Sequence, residues 1–136
     1  MGETVPVREG LFTTAPGGEM RLVGGRCTSC GEHHFPRPAT CPSCSSAACQ
    51  EALLSNRGSL WAWTAVTAPP PGYRGDVPFG FGVVELPEGL RVITRLTEAD
   101  PSRLVFAQPM RLDVVPLHVD DDGRTVVTYA FAPGAP

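Results

Sequence analysis

Cys27 and Cys30 form one C-x-x-C pair and Cys41 and Cys44 a second, ten residues further on. A two-residue gap folds the chain into a knuckle with both sulfurs aimed at one point. Four thiolates brought together in this way suit a single tetrahedral metal ion. Gly31, directly after the first pair, admits the left-handed backbone such a knuckle uses, and Pro42 stiffens the second. Two disulfides in a small secreted protein are the competing reading. No charged stretch followed by an apolar run opens the chain, which argues against export. The expected metal is Zn2+, with iron left open. A closed four-sulfur site keeps no position for substrate, so its role reads as structural.

Other reactive groups are sparse. With four thiolates present, His33 and His34 are expected to be solvated loop residues or spare donors, and Cys49 a small buried thiol. His118, Asp113 and the run Asp120–Asp122 form no nucleophile–base arrangement. No HExxH, GxSxG or glycine-rich phosphate loop is present. All 11 basic residues are arginine, which excludes lysine Schiff-base chemistry and a P-loop lysine. Catalysis by this chain alone is therefore not expected.

Two constellations suit binding. Trp61 and Trp63 lie two apart on an expected strand and so should share a face, as should Arg91 and Arg95 on another. If those faces coincide, guanidiniums beside indoles would suit a phosphorylated, purine-bearing ligand. Plain stacking and surface ion pairs to Glu85 or Glu88 are the simpler reading. The loop Ala68–Pro78 carries Pro69, Pro70 and Pro71, expected to hold it extended as polyproline II. Pro70, Pro71, Tyr73 and Phe79 are its candidate docking residues.

These groups need a scaffold. The 136 residues, 42% of them hydrophobic, can build a core, while the apolar runs are too short to span a bilayer. With no signal or membrane segment, a cytoplasmic protein is expected. Residues 1–25 are broken by proline and glycine and read as an irregular arm, with a short strand at Met20–Val23; residues 26–50 form the metal ribbon. From residue 55 to 136 the texture is β. Strands are expected at 58–67, 79–86, 90–97, 110–119 and 125–131, with turns at Pro87–Gly89 and Asp120–Gly123. Asp100 and Pro101 supply helix-start chemistry between the third and fourth strands. Five strands with one short helix in that position is the element order of an OB-fold. The expected fold is mainly β, a zinc ribbon followed by a five-stranded barrel. Such pairs often bind nucleic acid, but an acidic, lysine-free chain with a net charge of -3 and 7% aromatics lacks the basic groove that binding uses.

The ordered set Cys27-Thr-Ser-Cys30-Gly31, Phe35-Pro36-Arg37-Pro38, Cys41-Pro42-Ser-Cys44, Gly58–Thr64, Pro69–Pro71, Pro78–Phe81 and Val84–Val92 resembles a family of acyl-CoA-associated proteins. Long catalogued as domain of unknown function 35, its members carry a rubredoxin-like zinc ribbon before an OB-fold. The resemblance implies an accessory subunit that binds a thiolase-fold enzyme as a hetero-oligomer, on a partner dimer, and helps form its acyl-CoA channel. Partners of that kind include thiolases and aldolases that shorten steroid side chains, with catalytic groups in the partner. It assigns metal binding to Cys27, Cys30, Cys41 and Cys44. Members often open with an amphipathic helix that the proline- and glycine-broken arm here lacks. A free-standing module for single-stranded nucleic acid or a phosphorylated ligand is the alternative.

Overall fold

The computed structural model describes residues 3–134; the first two positions of the arm and the last two of the barrel segment lie outside them. The order is β1 (Thr4–Pro6), β2 (Phe12–Thr14), β3 (Met20–Cys27), β4 (His33–His34), β5 (Cys49–Leu53), β6 (Arg57–Val66), β7 (Phe79–Glu85), β8 (Arg91–Leu96), a 3-10 turn (Pro101–Arg103), β9 (Pro109–Val119) and β10 (Thr125–Pro133).

Strands β6 to β10 close into a barrel. β6 pairs antiparallel with β7 and β7 with β8, β8 runs parallel to β10, β10 pairs with β9, and β9 returns to β6 through Arg57–Ser59. That order, with a parallel third–fifth contact, is the OB-fold. Asp100 caps the 3-10 turn by accepting from the Ser102 amide at 3.0 Å, and Pro101 follows it. The turn stops after three residues, and Ala107 at φ 68 then bends the chain into β9.

β3 organises the ribbon. β2, β4 and β5 all pair antiparallel with it. The segment expected to be irregular thus contains β2 and most of β3, while β1 reaches across to run parallel with β10 from Thr125 to Val127. Leu22 on β3 and Leu54 after β5 are fully buried and join Leu60, Val84, Val92, Leu96 and Phe131 in one core. Phe35 of the ribbon meets Tyr129 of β10 edge to face at 5.4 Å. Ribbon and barrel therefore share their apolar interior. Among the described residues no helix is long and apolar enough to cross a membrane.

Candidate functional site

The two knuckles are built alike. Gly31 donates its amide to the Cys27 carbonyl and Ser45 to that of Cys41, both at 2.8 Å. Gly31 (φ 83) and Ser45 (φ 64), each following the second cysteine of its pair, take left-handed backbone. All four sulfurs lie within 4.8 Å of one another, with Cys27–Cys44 at 3.6 Å and Cys30–Cys41 at 3.7 Å. A tetrahedral ion with metal–sulfur bonds of about 2.3 Å separates its ligands by about 3.8 Å, so the four fit such an ion. Cys27 and Cys41 are buried, Cys30 and Cys44 exposed.

The electrostatics make the same demand. Burial pushes the Cys41 thiol up, but the Cys44 and Ser43 amides and the His34 ring outweigh it and leave its pKa at about 6. For Cys44 the Ser46 amide pulls down, yet crowding by Cys27, burial, Cys30 and Cys41 carries it to about 12. Without a cation the cluster cannot hold four negative charges this close. Cys49 lies opposite Cys27 in the ladder and is buried; burial raises its thiol first, with Cys27 and Cys41 adding to the effect. His34 is not a solvated loop residue. It sits half-buried on β4 with Nε2 3.3 Å from Cys41 Sγ.

On the barrel the two tryptophans do not share a face. Leu60 opposes Val84 but Ala62 opposes Val83, so Trp61 is the extra residue of a β-bulge. The bulge resets the alternation. Trp61 faces outward, while Trp63 packs against the core and donates from Nε1 to the Pro101 carbonyl at 3.1 Å. Arg91 and Arg95 do share the outer face, with Ile93 between them. Arg91 lies over the Trp61 ring at 3.8 Å and pairs with Glu85 at 3.1 Å. Arg95 lies over Phe79 at 4.4 Å and donates to the Tyr73 hydroxyl at 2.9 Å. Glu88 is engaged elsewhere, accepting the Ser55 amide.

The proline loop bends. Tyr73 donates its amide to the Pro70 carbonyl, with Gly72 at φ 80, so Pro71-Gly72 form the corner of a turn where an extended run was expected. Pro70 and Pro71 stay exposed, and Tyr73 packs on Phe79 at 5.1 Å. A cleft of about 210 Å³ opens beside them, lined by Phe79, Arg95, Thr97, Ala99, Val115 and Pro116 among others.

The family model described as ChsH2, rubredoxin-like zinc ribbon domain matches residues 15–48, and ChsH2, C-terminal OB-fold domain matches residues 51–115. A DUF35 domain-containing scaffold protein of Pyrococcus furiosus is 33% identical over 116 residues, 83% of this chain and 83% of its own. This chain belongs to the DUF35 family. The benzoylsuccinyl-CoA thiolase subunit BbsA of Thauera aromatica is 32% identical to this DUF35 chain over 121 residues, 89% of it and 82% of BbsA. Among solved structures, a chain of an Ltp2-ChsH2(DUF35) aldolase superposes with a TM-score of 0.65 at 26% identity, covering 85% of this chain and 86% of that one.

Sequence reasoning about this DUF35 protein named His34 only as a solvated residue or spare donor, without its contact to Cys41, and missed the exposed Phe106, whose ring meets Trp61 at 5.5 Å. His34 alternates with Cys30 and Glu32 around a tight turn, and only the cross-strand pair Gly25–His34 sends it back to the sulfurs. Phe106 lies in a connection between strands, where no periodicity marks a face.

Proposed function

We propose that this DUF35 chain is a non-catalytic accessory subunit that binds a thiolase-fold enzyme and helps form its acyl-CoA channel. The carrying observation is the likeness, over more than four-fifths of its length, to a thiolase subunit and to a chain of an aldolase assembly. Cys27, Cys30, Cys41 and Cys44 would hold Zn2+. That ion would supply a structural cross-link between the two knuckles, since four thiolates leave no open position. Arg95, fixed against Phe79 and Tyr73 beside the cleft, is the basic group we assign to the phosphates of the acyl-CoA. Trp63, bound to the Pro101 carbonyl, is assigned to the scaffold. Pro70, Pro71, Tyr73 and Phe79 would line the mouth of that channel. Steroid side-chain retro-aldol cleavage is the reaction we assign to the partner, and the cytoplasm, where free thiols persist, is the compartment.

The test is a tagged pull-down from the native cell, with mass spectrometry of co-eluting protein and metal. A stoichiometric thiolase-fold protein and one zinc per chain are expected. Recovery of the chain alone, or with nucleic acid that washes off in salt, would sink the reading. Assay of the recovered complex with steroid and simpler acyl-CoA thioesters then fixes the substrate.

A further inference from the structure

Eight large apolar side chains stand exposed among the described residues, and five of them gather in one region: Trp61, Phe81, Ile93, Val105 and Phe106. Three lie on the outer face of β6–β8. Cross-strand partners place Ala62, Val83 and Ile93 in one row and Thr64, Phe81 and Arg95 in the next. Trp61 bridges to Phe106 at 5.5 Å and carries Arg91 on its ring. Ile93 is 62% exposed although it sits mid-strand in a closed barrel. The apolar side chains of the strip form no small-molecule site: Trp61, Ile93 and Phe106 lie outside both the cleft beside Phe79 and a second one lined by Arg57, Gly58, Ser59, Glu85, Leu86 and Pro87, and a small ligand needs a concave seat.

We infer that this strip is the surface that docks the thiolase-fold partner, onto an apolar patch of that partner flanked by carboxylates. The inference rests on the accessory-subunit reading and adds the face and its complement. Exposed aromatics with ring-stacked arginines are the composition of interface hot spots. The strip carries Arg91 and Arg95 against the single carboxylate of Glu85, so it is locally positive on a chain of net charge -3. A partner patch bearing carboxylates complements Arg91, whose guanidinium keeps free donors beyond its exposed pair with Glu85, and leaves Arg95 to the acyl-CoA phosphates. A second copy of this chain would instead bring the same arginines face to face. Single-stranded nucleic acid would need the Trp61 ring for base stacking, and that ring already holds Arg91.

The experiment uses full-length chain and the thiolase-fold protein recovered with it, both purified, with affinity and rates measured by biosensor. Ile93→Asp and Phe106→Ser should weaken binding about 30-fold or more, as interface anchors do. Arg91→Glu should slow association and flatten its salt dependence. Val7→Asp, at an exposed apolar site off the strip, should bind as wild type. Because the replaced side chains are exposed, melting curves should match wild type, and a variant that melts early is replaced by Ile93→Lys. Wild-type affinity in Ile93→Asp and Phe106→Ser overturns the docking face while leaving the accessory role standing. A stable homodimer lost on Ile93→Asp, or oligothymidine binding lost on Trp61→Ala, also overturns it. If no thiolase-fold protein is recovered at all, the functional reading itself falls.

Discussion

His34 shows what one side chain contributes behind a metal cluster. In the tautomer with its proton on Nε2, the ring donates to Cys41 Sγ at 3.3 Å and stabilises that sulfur as thiolate. Groups that orient or stabilise ligands in this way are typically worth about 10- to 100-fold in metal affinity. His34→Ala should therefore retain zinc but lose about that much affinity, read by competition with a chromophoric chelator. Cys41→Ser, which removes a ligand, should abolish stoichiometric zinc. Equal affinity in His34→Ala and wild type would make the contact incidental. The cysteine cluster was legible because C-x-x-C spacing is local chemistry. The histidine was not, because its partner is chosen by the β3–β4 register. The direction of Trp61 was lost for a related reason: one inserted residue in β6 reverses every side chain before it relative to those after.

The five barrel strands and their turns were legible to within one or two residues, because alternation and Gly, Pro or Asp boundaries are carried by each segment itself, whereas the ribbon's β2, β4 and β5 were not read and β3 runs four residues past its expected end. The β1–β10 pairing was not: three residues at the far end of the chain give no pattern of their own. The β9–β10 turn shows how local that turn chemistry is. Asp120 accepts the Arg124 and Asp122 amides, and its second oxygen takes Arg124 Nε at 2.9 Å. The Arg124 amide is the largest cause holding its pKa below 3.8, ahead of the opposing burial. A carboxylate with a depressed folded pKa adds stability above its unfolded pKa and loses it as pH falls through the folded one. Asp120→Asn should therefore lower stability at neutral pH and flatten its loss below about pH 4. Urea midpoints across pH 2–7, an interval chosen to bracket ordinary carboxylate values of about 4, would show it. On β7, Gly82 packs where a Cβ would collide with the Ala62 carbonyl, so the bulged strand β6 must move if a methyl is added. Gly82→Ala should cost about 1–3 kcal/mol, seen as a lower urea midpoint at unchanged slope. An unchanged midpoint would show that β6 is free to shift.

At the scale of the whole molecule, the two parts are read separately in sequence but share one interior. Leu22 comes from the ribbon's central strand and Leu54 from the link to the barrel, yet both are fully buried against Leu60, Val84 and Phe131. Within the ribbon, Arg37 donates from Nε and Nη2 to the Cys49 carbonyl, which fixes the excursion between the knuckles against β5. Cutting a buried leucine back to alanine removes about 2–5 kcal/mol through lost transfer energy and the cavity left behind. Leu22→Ala, although in the ribbon, should therefore lower the unfolding midpoint reported by tryptophan fluorescence of Trp61 and Trp63 in the barrel. Metal removal should act the same way, because a ribbon that loses its knuckles frees β3 and uncovers Leu22 and Leu54. With a strong chelator present, tryptophan fluorescence and far-ultraviolet dichroism should shift together to one lower transition. Two separate transitions, with the barrel midpoint unmoved, would instead mean that the ribbon is a detachable module and that the shared core contributes little to the barrel.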